Sequence, residues 1–587
     1  MLKKWYFFIL LLVFVFFPFR LHGEERHRKA LDIVFPLEGQ AFPYITHSMI
    51  FGSTLPGSRL SINNTDVKVH ENGAFFAFLP VEVGNFTFHA RSQSPQGEFE
   101  DTKTIKIAPE IKSIPPDIFD IQMAFMQPAY DIVAPLGEEI LFRFMGTPGK
   151  QGFFRFEGEE KRFPLQEIEF QDYQGVYEGS YAFYEGFPDK KNILFELFDG
   201  DEKIASRKCP QTLWIRKDFP EEVFETTEDF VKGRSFPESG YKLLLQKGVR
   251  LKETGILGPY IRLKLSERED IYVEKKDLVK VEKPGALPIV PVGNIQVRSS
   301  GDYLYFVAAC PRNLAYLVEE KVSDKTLSLY LYSATGNVDR IINEKYKTIT
   351  SVTFQQVEQD VFRIDIVFPF KPLWGWSTSF SGGNVIFKIR KPPVVKADDP
   401  LRGIKVCLDA GHNPGPGAVG PTRLEESEIN WIIAERARRL LEKDGASVIM
   451  TRKKKSSEAS LRDRVKKACE SDSQLFLSIH NNSVSNGKDA YEASGTETYF
   501  YTPSSRIFAE CIHGEILKAT QLKDGGVRFG NFAVLRNPSL PCVLIEAVYI
   551  ILPEQESLLR DENFQESVAL QITTGIKMFL LKEANVL

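Results

Sequence analysis

The stretch VCLDAGHNPGPGA, residues 406–418, decides how the C-terminal third of this chain is read. Val406 to Ala410 form a short apolar run interrupted by Asp409, which suits a buried strand. The eight residues that follow hold three glycines and two prolines around His412. Glycine and proline bring little packing surface to a core but shape tight turns. A strand ending in such a turn presents its histidine at the rim of a sheet.

Outward from this stretch, strands and helices alternate. A helix is expected from Glu426 to Lys443, where Ile429, Ile433, Ala437, Leu440 and Leu441 recur at helical spacing and Gly445 stops the run. ASVIMT is the next strand, and Ser460 caps a helix running to about Glu470. QLFLSIH and GTETYFY read as strands, residues 504–519 as a helix, FAVLR and PCVLIEA as late strands, and residues 562–582 as the closing helix. Such alternation implies an α/β domain with a mostly parallel sheet.

In open α/β sheets, ligands gather at the carboxyl ends of the strands. His412 follows the first strand, Glu426 opens the first helix, His480 ends LFLSIH, and Glu546 ends CVLIE. Each has an ordinary explanation taken singly: a turn histidine, a first-turn acid favoured by the helix dipole, a strand-end histidine. Glu546 is the hardest to explain that way, because it ends a run that should be deeply buried. Two histidines and a carboxylate suit Zn²⁺ with one position left for water, and a second carboxylate then serves as a base. Of the eight histidines, five lie at or before His89 and none between His89 and His412, so the middle of the chain supplies no imidazole.

Residues 403–587 closely resemble zinc-dependent N-acetylmuramoyl-L-alanine amidases of the autolysin type. The matching stretches are VCLDAGHNPGPGAVG, EESEINWIIA, VIMTR, LRDRV, LFLSIHNNS, GTETYFY, FAVLRNPSLPCVLIEA and the closing helix. The resemblance implies that His412, Glu426 and His480 bind Zn²⁺, with Glu425 the fallback for Glu426, and that Glu546 is the catalytic carboxylate. It implies hydrolysis of the amide between N-acetylmuramic acid and L-alanine in peptidoglycan. Asn482 and Arg452 are candidate substrate-binding groups, with turn capping and surface charge as their alternatives. Two departures from the family pattern, Asn413-Pro414 and Ala547-Val548-Tyr549, touch the cleft walls. The loop NNSVSNGKDAYEAS after His480 is short, so an uncovered site is expected, with control left to the N-terminal domains. A non-catalytic peptidoglycan-binding protein on the same fold and a zinc peptidase of the stem peptide are the competing readings.

At 587 residues the chain is too long for one core. The expectation is several all-β domains, sandwich and small barrel, ahead of the α/β domain. Residues 1–23 combine Lys3 and Lys4 with an apolar run from Trp5 to Phe17 and read as a signal peptide, implying export to the periplasm or cell wall; a retained anchor is the alternative. Residues 28–110 alternate apolar and polar with regular turn signals and resemble bacterial immunoglobulin-like sandwiches. Residues 111–218 continue as a β-rich domain. Residues 219–287 resemble SH3-like barrels, and residues 288–393 loosely resemble the AMIN domains beside wall amidases. Residues 394–402 read as a linker. Regulators of the wall or of division are expected to act through these β-domains. A net charge of -4 gives no case for nucleic acid. Six cysteines without a CxxC pair support neither a disulfide scaffold nor a thiolate zinc site.

Overall fold

Lys405–Ala410 (β1) is a buried strand in which every residue after Lys405 is inaccessible. It pairs in parallel with Ser447–Met450 (β2) on one side and Leu475–Asn482 (β3) on the other. The six-stranded sheet is completed by Thr496–Phe500 (β4), Asp524–Phe529 (β5) and Cys542–Tyr549 (β6), in the order β2-β1-β3-β6-β4-β5. All neighbours run parallel except β4 and β6. Glu426–Lys443 (α1), Leu461–Glu470 (α2), Arg506–Thr520 (α3), Pro553–Arg560 (α4) and Glu562–Glu583 (α5) surround it. The mostly parallel α/β domain is therefore as expected. One face of the sheet closes on a core through Leu408, Ile433, Leu477, Ile545, Ile572 and Phe579, and the other packs Cys407, Phe476 and Leu544 against Ala468 and Leu535.

The computed structural model describes residues 29–219, 222–282, 285, 287–343, 349–369 and 374–586. The segment read as a signal peptide lies outside them. Among the described residues no helix is long and apolar enough to cross a membrane.

Two local expectations are corrected. FAVLR is not a strand: Ala533–Leu535 is a single 3₁₀ turn. The sheet edge is formed instead by β5, whose Gly525 and Gly526 erase the apolar alternation that marks a strand. The stretch read as a linker is part of the domain. Val394–Val395 pairs in parallel with Asn585–Val586, and Val395 and Leu401 are buried in the α/β core.

The rest of the described chain is β-structure. A three-stranded sheet (Leu31–Phe35, His47–Thr54, Ala74–Pro80) and a five-stranded sheet enclose Ile33, Ile50, Ile62, Phe75, Phe88 and Ile105. This sandwich also docks on the α/β domain. Met49, Phe51 and Phe76 belong to the same buried cluster as the α/β core, and Phe76 meets the Tyr491 ring edge-on at 5.4 Å. Strand pairing crosses the expected boundary near residue 218. Ile132–Pro135 pairs in parallel with Glu202–Arg216 and antiparallel with Arg250–Leu257, joining two β-regions in one sheet. Residues 290–390 form a five-stranded and a four-stranded sheet around Val297, Leu304, Phe306, Leu329, Ile366 and Phe387.

Candidate metal centre and active site

β1 leads into a turn whose backbone is unusual at His412 (φ 63°) and Asn413 (φ 60°), both in the left-handed region. Two buried arginines grip this turn from beneath. Arg464, inside α2, donates to the carbonyls of Ala410 (2.8 Å), His412 and Asn413 (3.1 Å) and pairs with Asp409 Oδ1 at 2.6 Å. Arg452, just past β2, donates to the carbonyls of Ala410 (3.1 Å), Ser427 (2.8 Å) and Lys455 (2.9 Å). Asp409 also accepts from Thr451 and Ser478. Burial alone would raise the Asp409 carboxyl, but Arg464 and the two hydroxyls outweigh it and hold it below the usual range.

Above the turn, Glu426 lies between two imidazoles. Its Oε2 is 2.9 Å from His412 Nε2 and its Oε1 is 2.9 Å from His480 Nδ1. Backbone N–H groups of Ala418 (2.9 Å) and Asn481 (3.2 Å) and the Asn430 amide (3.1 Å) donate to the same carboxylate. Burial pushes the Glu426 carboxyl up, yet the hydrogen bonds and charge of His412 and His480 win and hold it well below the ordinary value. Glu425 is an exposed residue at the N-cap of α1, outside this cluster. The bare Cα atoms of two glycines make the packing possible. A methyl on Gly411 would lie 2.3 Å from the His480 ring, and one on Gly417 would lie 2.5 Å from Glu426 Oε2.

Glu546 stands beside this cluster. It is in register with His480 across β3 and β6 and with Glu497 across β4 and β6, so the three share one face of the sheet. Its Oε2 is buried without a hydrogen-bond partner among the described residues. Burial, then the negative charges of Glu426 and Glu497, raise the Glu546 carboxyl well above its ordinary value. Glu497 is itself held by Asn482 (3.0 Å), the Tyr499 hydroxyl (2.6 Å) and Arg528 (2.7 Å).

Thus His412, Glu426, His480 and Glu546 converge. Asn482 sits at the same edge, bonded to Glu497. Arg452, expected to meet substrate, is instead 1% exposed, and its donors are spent on backbone carbonyls under the turn. His513 lies elsewhere, bonded to Thr498 and Asp524. Asn430, Arg464 and Glu497 were not singled out in the sequence. Asn430 had a usable signal, since it stands four residues after Glu426 and so on the same helix face.

Among the described residues, His412, Glu426 and His480 are the one group of three or more such side chains arranged to hold a metal ion, their ligand atoms within 4.8 Å of one another. Two imidazoles and a carboxylate at this spacing fit Zn²⁺.

The family model described as N-acetylmuramoyl-L-alanine amidase matches residues 406–578. An uncharacterized protein of Bacillus subtilis, YqiI, is 33% identical over 192 residues, which cover 32% of this chain and 90% of that protein. The chain belongs to the N-acetylmuramoyl-L-alanine amidase family. The chain is also 31% identical to a probable cell wall amidase, LytH, of Staphylococcus epidermidis over 186 residues, 31% of its length, and spans 60% of that relative's length. Among solved structures, the catalytic domain of CwlV from Bacillus (Paenibacillus) polymyxa is 35% identical, covering 30% of this chain and 98% of that one with a TM-score of 0.28. The family match falls in the C-terminal third, where the four converging side chains lie.

Proposed function

We propose that this chain is a zinc-dependent hydrolase of peptidoglycan that cleaves the amide between N-acetylmuramic acid and L-alanine. The observation that carries the reading is the placement of Glu546, whose Oε2 has no hydrogen-bond partner among the described residues, next to the His412–Glu426–His480 cluster of an amidase-family domain. His412, Glu426 and His480 would hold Zn²⁺, which supplies Lewis acidity and makes water a nucleophile near neutral pH. Glu546 accepts the proton released by the attacking water and returns it to the leaving nitrogen. Burial and the neighbouring carboxylates raise the Glu546 carboxyl, so it holds an accepted proton more firmly than an exposed glutamate does before passing it on. Glu426 has the opposite character and remains an anion that its ring neighbours and backbone N–H groups fix in place. Action outside the cytoplasm, at the wall, follows from the substrate.

The test is incubation of the full chain with purified peptidoglycan, with and without a chelator, followed by mass analysis. A free muramoyl terminus and a peptide headed by L-alanine are expected, abolished by chelation and restored by Zn²⁺. Cleavage between two amino acids would make the chain a peptidase instead. Glu546→Gln is expected to keep its zinc and lose activity by about 10²- to 10⁴-fold, the usual contribution of a positioned acid–base group. Unchanged hydrolysis by that variant would remove Glu546 from the mechanism.

A further inference from the structure

The four converging side chains have chemically different neighbours on their two sides. In the sheet order β2-β1-β3-β6-β4-β5, they gather at β1, β3 and β6, so β4 and β5 flank them on one side and β2 on the other.

On the β4 side the wall is aromatic. Tyr499 stands two residues after Glu497, hence on the sheet face that carries Glu546 and about 7 Å farther along the strand. Its hydroxyl donates to Glu497 Oε2 at 2.6 Å. The Phe532 ring meets the Tyr499 ring edge-on at 4.9 Å and so lies on the same face. Gly530 makes room for this contact, since a methyl there would lie 2.7 Å from both rings. Phe532 is nevertheless 37% exposed. Its neighbour Asn531 is fixed from outside the amidase domain. The Tyr241 hydroxyl donates to Asn531 Oδ1 at 2.5 Å, and Arg536, which donates to the same oxygen at 3.0 Å, lies over the Tyr241 ring at 4.7 Å. The exposed ring is therefore held in place.

On the β2 side the wall is cationic. Residues 451–467 hold eight lysines and arginines against two acids, in a chain of net charge -4. Arg452 and Arg464 are buried under the His412 turn. Lys455 pairs with Glu428 at 2.5 Å. Lys453 and Lys454 are exposed and form no ion pair among the described residues. Their loop is tied to the turn beside His412. Asn413 Nδ2 donates to the carbonyls of Lys455 (3.2 Å) and Ser457 (3.0 Å), and the Ala459 N–H donates to the Asn413 carbonyl at 3.0 Å.

The amide in the functional reading above joins a sugar to a peptide. A pyranose offers an apolar C–H face that packs on an aromatic ring, whereas the peptide carries free carboxylates that unpaired cations attract. We propose that the substrate lies across the sheet with its muramoyl sugar against Phe532 and its peptide carboxylates toward Lys453 and Lys454. This orientation rests on the amidase reading and assigns each half of the substrate to one side of the cluster.

The test uses the full chain carrying Glu546→Gln and loaded with Zn²⁺, so that ligands bind without being cut. Calorimetric titration compares N-acetylmuramoyl-L-alanyl-D-glutamate, the lactoyl dipeptide that lacks the sugar, and the muramoyl dipeptide with both carboxylates amidated. Loss of the sugar and loss of the carboxylates are each expected to weaken binding about five- to tenfold, the order of one aromatic contact or two exposed ion pairs. Adding Phe532→Ala is expected to erase the first difference only, and Lys453→Met with Lys454→Met the second only. Phe532→Tyr, which keeps the ring, retains both. The opposite crossing, persistence of both differences in every variant, equal weakening of all three ligands, or no saturable binding would overturn the proposal. Release of L-alanine-headed peptide from peptidoglycan by the unmutated chain is followed in parallel. Release with neither difference moved counts against the orientation alone; the crossed pattern without release counts against the functional reading alone.

Discussion

Replacing one hydrogen of Gly411 by a methyl group places a carbon 2.3 Å from His480 Cε1 and 2.4 Å from its Nε2. The ring has little room to retreat, because its Nδ1 faces Glu426 and the residue is anchored in β3. Gly411→Ala is therefore expected to leave the fold intact but to turn the His480 ring away from the cluster. Changes that misorient a metal ligand cost about 10- to 100-fold in metal affinity. Competition against a chelating dye measures this directly, and near-UV circular dichroism checks the fold. Wild-type zinc affinity in the variant would show that the close approach is not needed. The glycines of the opening motif therefore have a steric role: they let two imidazoles and a carboxylate meet where a side chain would stand between them.

Between residue and domain, the turn after β1 is kept in place by two neighbouring elements. Arg464 reaches it from α2, which starts at a capping box formed by Ser460 and Asp463. The Arg464 and Asp409 side chains are 3% and 1% exposed, so removing one strands the other. Breaking such a buried pair costs about 3–5 kcal/mol, far more than an exposed pair is worth. Arg464→Met is expected to lower stability to urea by that amount and to weaken zinc binding with it; a loss under 1 kcal/mol would mean the pair is dispensable. The elements themselves were legible where periodicity was strong. The helix from Glu426 to Lys443 has the bounds that its apolar spacing and Gly445 imply. The clamps were not, because an arginine inside a polar helix such as LRDRV reads as a solvated face until the turn it holds is seen. The same holds for β5, an edge strand whose pairing to β4, rather than its own pattern, defines it. A second buried charge, in the strand Arg250–Leu257, gives a pH test. Burial first, and Glu222 second, push the Glu253 carboxyl up to about 7. An unfolded glutamate titrates near 4.3, so the folded state holds its proton longer and stability falls as pH rises from about 4.3 to 7. Glu253→Gln is expected to stabilise this region at pH 8, on the order of 2 kcal/mol, with the gain vanishing near pH 4.5. An equal gain at both pH values would point to packing instead.

At the scale of the molecule, the first sandwich is attached to the two loops that flank the His412–Glu426–His480 cluster. Asp32 accepts two hydrogen bonds from Arg423, at 2.6 and 2.9 Å, in the loop between His412 and Glu426. Asn486, in the loop after His480, bonds the backbone N–H of Met49 at 2.8 Å and Ser48 Oγ at 2.9 Å. A methyl on Gly487 would strike Ile45 at 2.7 Å, so the two surfaces approach closely. The Arg423 pair is half exposed and worth little in stability, on the order of 0.2–1 kcal/mol. The buried Met49, Phe51 and Phe76 side chains outweigh it, together on the order of 5 kcal/mol. Hydrophobic burial thus holds the sandwich on, while the polar contacts set where the loops sit. Farther along, Trp374 is fully buried against Phe579 of α5, so the preceding β-region supplies part of the amidase core, and Val395, within the domain, pairs with Val586. A fragment beginning at residue 396 lacks all of these. It is expected to melt at a lower temperature than the full chain, to bind a hydrophobic dye on the uncovered face, and to hydrolyse peptidoglycan more slowly because both flanking loops are released. Thermal denaturation and product release, measured side by side on the two proteins, decide the point. A fragment as stable as the full chain and equally or more active would show that the sandwich is a passenger, or a restraint on the site, rather than a wall of it.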